Sequence, residues 1–250
     1  MGVGLPLFVA PGWASQHFAW KVSPFVAMTA GAWCLGTAAF ALSAVRRRVW
    51  TGARPGVVFT FAFGVTELAI ALYNHDRLIT DETLSGPYLI AMGLSVIAGG
   101  LALVEGRSHL VPDLRTGLDL TPTMRRLRVG FVALLLFLAA IAFVAPVRAT
   151  NGAVFPQPLS LFSLRAFGVF YLSLGVAMLA IIGDRHADAF LAFMQAGLVL
   201  VVPILLATAV YGGSFDLGEH PLQVVYPLAY VVALVGATGS LRWARGRPGR

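Results

Sequence analysis

Glu67 is the only carboxylate in an apolar run over residues 56–74, GVVFTFAFGVTELAIALYN. A run of that length spans a bilayer core of ~30 Å at ~1.5 Å per residue. A carboxylate at such a depth costs a few kcal/mol, so neighbouring groups must accommodate it. Thr60, Gly64, Ala71 and Asn74 recur with Glu67 at alternating steps of three and four. They form one small and polar stripe, with Phe61, Val65, Leu68 and Leu72 off it. The stripe is expected to face other helices or a cavity, and the remainder to face lipid. A neutral carboxyl there can donate a proton, as a general acid does, or bind a polar solute with Thr60 and Asn74 beside it. The simpler alternative is structural: a neutral Glu67 hydrogen-bonded to the next helix.

Two further groups of residues could do chemistry. Gln223, Tyr226, Tyr230, Ala233 and Ala237 share one face of the last apolar run. Pointing inward, an amide and two phenols could line a substrate cavity, although ordinary packing with satisfied hydroxyls explains them equally well. The second group lies in two loops, where Asn74-His75-Asp76-Arg77 precedes Asp81 and Glu82, and Asp216 precedes Glu219 and His220. His75, Asp76, Asp216, Glu219 and His220 could converge as a metal or acid–base site. Their spacing matches no metal-ligand pattern, so solvated loops are the better expectation and no metal is assigned. Arg165, where the fifth apolar run begins, could bind an anion, but snorkelling to the interface is the commoner role. The chain has no Gly-rich phosphate loop, nucleophile elbow, paired-cysteine motif or intramembrane His pair, and no cofactor is expected. The lone Cys34 reads as a small packing residue.

The elements that must position these groups are seven apolar segments, near 24–45, 56–74, 86–104, 122–147, 163–182, 189–211 and 221–241. The fold class is therefore all-α, a polytopic membrane protein. With 58% hydrophobic and 12% charged residues in 250, the composition does not suit a soluble domain. Thr121-Pro122 reads as an N-cap with proline at the first helical position, and Pro221 opens the last span. Pro203 and Pro227 are expected to free carbonyls and permit kinks. Fourteen basic residues, among them Arg46, Arg47, Arg48, Arg54, Arg128 and Arg185, fall on one side of the spans. Only Lys21, Arg77, Arg148 and Arg165 fall on the other. The positive-inside rule then places the N-terminus out and the C-terminus in, in a bacterial cytoplasmic membrane. The net charge of +7 is explained by anchoring to anionic lipid, so membrane lipids rather than nucleic acid are the expected partners. The first twenty residues read poorly as a signal peptide. They are expected to lie at the outer surface with Trp13 and Trp20 in the interfacial belt, as the inner loop 106–121 is on the opposite side.

An internal repeat organises the chain. FAWKVSPFVAMTAGAWCLG at 18–36 aligns with FPQPLSLFSLRAFGVFYLS at 155–173. The alignment pairs Phe18 with Phe155, Ser23 with Ser160, Phe25 with Phe162, Gly31 with Gly168 and Trp33 with Phe170. Tyr73 also pairs with Tyr211, and Pro87 with Pro221. The expected organisation is a single membrane domain with a first triplet at 24–104, a linker helix at 122–147, a second triplet at 163–241 and a basic tail at 242–250. This is a 3+1+3 parallel repeat about an axis along the membrane normal. Glu67 has no acidic counterpart, because the matching region is Pro203-Ile204-Leu205.

The motif Phe-Ala-Trp-Lys-Val-Ser-Pro, its repeat Phe-Pro-Gln-Pro-Leu-Ser-Leu and the following Arg165-Ala-Phe-Gly-Val-Phe-Tyr-Leu resemble a group of multi-pass membrane proteins of GC-rich bacteria, a resemblance that implies no activity. The 3+1+3 form is similar to SWEET-type sugar transporters, without their repeated proline pattern. Seven spans with an acid in the second are similar to membrane-bound terpene cyclases, except that Thr66 stands where those enzymes have Trp. No lysine lies in the last span, which excludes a retinal Schiff base. The leading expectation is a transporter-like protein handling a small molecule between the two triplets near the midplane, with Glu67 as its protonatable group. One alternative is an intramembrane enzyme acting on a lipid or isoprenoid, with Glu67 as general acid. Another is a non-catalytic subunit of a membrane complex.

Overall fold

The computed structural model describes residues 2–47, 49–109, 118–144, 154–156 and 159–246. Two short helices, α1 (Gly4–Val9) and α2 (Pro11–Ala14), precede seven long ones. These are α3 (Pro24–Arg46), α4 (Trp50–Tyr73), α5 (Ser85–His109), α6 (Pro122–Val144), α7 (Leu161–Leu179), α8 (Asp188–Val210) and α9 (Val225–Arg245). All seven are long and apolar enough to cross a membrane, which fits an integral membrane protein. Local signals set several starts. Ser23 caps α3 by accepting from Val26 N–H, Ser160 caps α7 from Ser163 N–H, and Thr121 caps α6 from Met124 N–H. The second span starts earlier than expected: α4 runs through Pro55, whose missing N–H falls close to the helix start and removes little bonding. Pro227 also sits near a helix start. It is the third residue of α9, where its N–H would have had no partner within the helix, and a 3-10 turn at Pro221–Val224 leads into it. The end of the fourth span beyond Val144, Arg48, Arg148, residues 110–117 of the loop and the last four residues lie outside the described residues.

The helices pack in two layers. One holds α5, α4, α7 and α6 side by side; the other holds α3, α8 and α9, with α1 against the outer side of α3. α3 crosses to α8 and α4 to α7, and α4 and α8 also touch. Lipid offers no hydrophobic drive for such contacts, so close packing and interhelical hydrogen bonds must hold them. The centre is aromatic: Trp33 of α3 stacks on Phe170 of α7 at 4.6 Å and 14°, with Phe63, Phe59 and Phe40 continuing along the crossing. Thr66 and Ser173 hydroxyls lie 3.1 Å apart between α4 and α7. Ile90, Leu94, Ile97 and Leu101 of α5 are exposed on one stripe, the surface a bilayer would cover.

The antiparallel neighbours α6 and α7 cap each other with arginines. Arg165 donates to the carbonyls of Ala142 and Phe143 at the end of α6. Arg128 donates to those of Ile181, Ile182 and Asp184 just past α7. Each cation thus meets the negative end of the other helix's dipole. Arg165 is therefore a helix cap, neither an anion site nor a snorkelling chain. Arg54 adds an ion pair to Asp184 at 2.5 Å, at the end of the bundle where most arginines gather; the opposite end is called the far end below.

The N-terminal segment departs from its expected surface position. α1 runs along α3 as deep as Cys34, and a Cβ on Gly31 would come within 2.6 Å of Phe8 N. Only a glycine permits that approach. Trp13 is half exposed and stacks on His17, as an interfacial residue should, but Trp20 is buried within the bundle.

Candidate functional site

The stripe on α4 is buried along its length, from Thr60 through Gly64, Glu67 and Ala71 to Asn74, while Val65 and Leu72 are exposed. Gly64 lets α5 approach, since a Cβ there would lie 2.9 Å from the Met92 carbonyl oxygen. One turn on, Glu67 is 1% exposed, and Oε1 accepts a hydrogen bond from the Tyr88 hydroxyl at 2.8 Å. Oε2 is buried with no hydrogen-bond partner. Glu67 is six residues from the end of α4. That places it roughly 9 Å below the far end rather than at the middle of the helix.

Aromatic rings close over this pair. Tyr88 meets Phe18 edge-on at 5.0 Å and Trp20 at 5.5 Å. Trp20 stacks on Phe162 at 4.3 Å, and its Nε1–H donates to Ser163 at 3.2 Å. The segment before α3 is tied down in turn, because Leu84 N–H donates to the His17 carbonyl and Ile79 N–H to that of Ala19. On the far side of Trp20 lies an open bowl, lined by Trp20, Lys21, Asp76, Arg77, Ser160 and Phe162 among others. Trp20 thus separates a charged, open bowl from a buried acid.

The tyrosines form a second site. Tyr171 and Tyr230 hydroxyls are 2.8 Å apart, and both residues are buried. Tyr226 packs edge-on to Tyr230 at 5.1 Å and touches Phe25, Phe155 and Phe215. Its hydroxyl faces those of Thr29 and Tyr230. Beside the Tyr171–Tyr230 pair is a small, partly open cleft between α6, α7, α8 and α9. Leu134, Leu138, Leu174 and Leu200 supply its apolar walls. Gly197 also lines it, and a Cβ added there would meet nothing within 4 Å. Helices α6 and α9 meet toward the arginine-rich end, where the Phe131 ring fills the space beside Gly236 and Met124 approaches Ser240.

The remaining candidates are dispersed. Glu67 does not line the tyrosine cleft. Thr60 is buried with its hydroxyl unpaired, two turns from Glu67 and so roughly 10 Å away along the axis. The Asn74 amide donates to the Ile70 carbonyl of its own helix. Gln223 accepts from Asp216 N–H at 2.8 Å and pins the loop before α9. Asp216 accepts from Glu219 N–H, and His75 meets the Leu72 carbonyl, both exposed local turns. Among the described residues no three of His, Cys, Asp and Glu gather where they could hold a metal ion. The His75 and Asp216 side chains each close their own turn, while Asp76 lines the charged bowl.

Tyr88 and Tyr171 were not singled out from the sequence, and Trp20 was read only as an interfacial residue. A signal for Tyr88 existed. α4 and α5 are consecutive spans, Glu67 is six residues from the end of one and Tyr88 three from the start of the next, so the two share a depth. In comparison with known proteins, no family model, curated protein or solved structure matches this chain.

Proposed function

We propose that this membrane protein is transporter-like, a 3+1+3 repeat in which Glu67 is the protonatable group of an occluded site. The observation that carries the reading is the buried Oε2 without a partner, beside an Oε1 held by Tyr88 and under the aromatic floor of the charged bowl. An intramembrane acid with half its hydrogen-bonding capacity unused is costly as mere glue and suits proton exchange or solute binding. The repeat draws support from matched positions. Ser23 and Ser160 are equivalent caps, Trp33 stacks on its own counterpart Phe170, and α3 meets α8 as α4 meets α7. The distribution of basic residues supports the N-terminus outside and the C-terminus inside a bacterial cytoplasmic membrane, which puts the bowl on the outer face. In this reading Trp20 and Tyr88 form the outer gate.

The test is charge displacement in proteoliposomes adsorbed to a solid support and subjected to pH jumps. Wild type is expected to give a transient that Glu67→Gln lacks while remaining folded. Equal transients in the two proteins would remove Glu67 from any proton-linked role.

The tyrosine cleft favours a second reading, an intramembrane enzyme or binder acting on a lipid or isoprenoid. In that case Glu67 is not its general acid, since it lies outside the cleft. Among the described residues, the polar side chains that line it are phenols.

A further inference from the structure

We propose that the groove between α3, α4 and α5 at the arginine-rich end binds a phospholipid with an amine-bearing, zwitterionic head, its phosphate on Arg47 and its ammonium on Glu105. The groove has a charged rim and apolar walls. Arg47, Trp50 and Glu105 line it where α3 ends, α4 begins and α5 reaches the end of its span, the level of lipid head groups. Further in, Val45, Ala53, Val57 and Ala102 supply the walls. Val57 is seven residues past Trp50, so the apolar part runs roughly 10 Å along α4. Val45 is 83% exposed, which leaves the groove open sideways to lipid. A water-borne solute has no use for such walls. An amphiphile with its head at the rim and a chain below uses both parts. The space, about 300 Å³, is at the lower end of small-molecule sites and suits one head with the start of a chain.

Two glycines build the rim. Gly52 lets the Arg47 stem lie across α4, where a Cβ would come within 3.0 Å of Cδ. Gly106 admits the Trp50 ring, which a Cβ there would strike. Arg47 is then fixed by neutral oxygens, with Nε–H donating to Ser43 at 3.4 Å and Nη2–H to Gln195 at 2.7 Å. Two of its five N–H groups are spent in this way. Among the described residues no carboxylate comes within ion-pair distance of it, and Asp188 acts only from further off. A guanidinium held in place but not neutralised suits a phosphate, whose oxygens match its fork of N–H groups. Glu105 selects the rest of the head. An uncharged glycerol head would set that carboxylate near a phosphate with no cation to balance it. A primary ammonium balances it and donates hydrogen bonds to it, which the methylated nitrogen of choline cannot do.

This proposal involves neither Glu67 nor the tyrosines. Its test is native mass spectrometry of the full chain in detergent, exposed to equal amounts of phosphatidylethanolamine, phosphatidylglycerol and phosphatidylcholine with the same acyl chains. Wild type is expected to keep one phosphatidylethanolamine through delipidation, about fivefold above either competitor. Arg47→Gln should lower retention of all three lipids, again about fivefold. Glu105→Gln should keep the total retention and melting temperature near wild type while erasing the preference. Glu67→Gln should retain lipid like wild type. Equal retention of the three lipids by wild type would overturn the proposal. So would a preference for phosphatidylglycerol, or one that survives Glu105→Gln. If Arg47→Gln fails to fold because its tie to Gln195 is lost, Glu105→Gln alone decides, since Glu105 is exposed.

Discussion

The Glu67 site and the tyrosine cleft are built alike and finished differently. Each sets a buried phenol beside a second oxygen on a neighbouring helix, at 2.8 Å in both cases. Around Glu67 the helices are shut tight. Gly64, one turn away, already touches the backbone of α5, and two segments bring Phe18, Trp20 and Phe162 over the top. Around Tyr171 and Tyr230 the helices leave a void, and Gly197 faces it without a neighbour. The same residue type therefore marks opposite packing states. A glycine pressed against backbone permits close approach, whereas a glycine facing empty space leaves room for something else. An acid sits where access is blocked, and phenols sit where access is open.

The sharpest way to break this comparison is to add the same side chain to both glycines. Gly64→Leu drives into the Met92 carbonyl, which cannot yield as a flexible side chain would, and should cost about 3 kcal/mol or more. Gly197→Leu should cost less than about 1 kcal/mol. Equal losses in thermal or denaturant unfolding would show that the two sites are packed alike. A smaller effect separates the acid's roles. Glu67→Leu leaves the Tyr88 hydroxyl buried without an acceptor, which costs about 1–3 kcal/mol, while Glu67→Gln retains an acceptor and should cost under about 1 kcal/mol. If both variants unfold alike, the Tyr88 bond contributes nothing to stability. Tyr230→Phe should cost about 0.5–1.5 kcal/mol, because it removes one neutral hydrogen bond and leaves the ring in place. A loss much larger than that for Tyr88→Phe would reverse the ranking of the two sites.

Much of the fold was legible because membrane helices obey one-dimensional rules. Seven apolar runs became seven helices, and the stripe from Thr60 to Asn74 is buried as its spacing implied. The face of Gln223, Tyr226 and Tyr230 is likewise buried. The caps at Ser23 and Thr121 follow from side chains within one turn of the backbone they satisfy. The candidate sites were harder to read, since a polar side chain can satisfy itself close by. Asn74 turned to its own helix, Gln223 to Asp216, and Asp216 to Glu219, each taking a near backbone partner in place of a distant ligand. Trp20 looked interfacial by its position before the first span, but stacking on Phe162 drew it inside.

By itself the sequence determined the class of the protein: apolar length demands helices that satisfy their own backbones in lipid, and periodicity tells which face each one hides. It also marked Glu67 as a group needing an answer. Tertiary structure alone decided what the answer is. Tyr88 reaches Oε1 because Gly64 lets α5 come close, and Trp20 roofs the pair because 143 residues away Ser163 accepts its N–H. It decided too that the phenols, and not the acid, face the open cleft. That cleft exists because α6 and α9 meet at Phe131 and Gly236 toward the arginine-rich end. Voids belong to the spaces between helices, and no single helix encodes them.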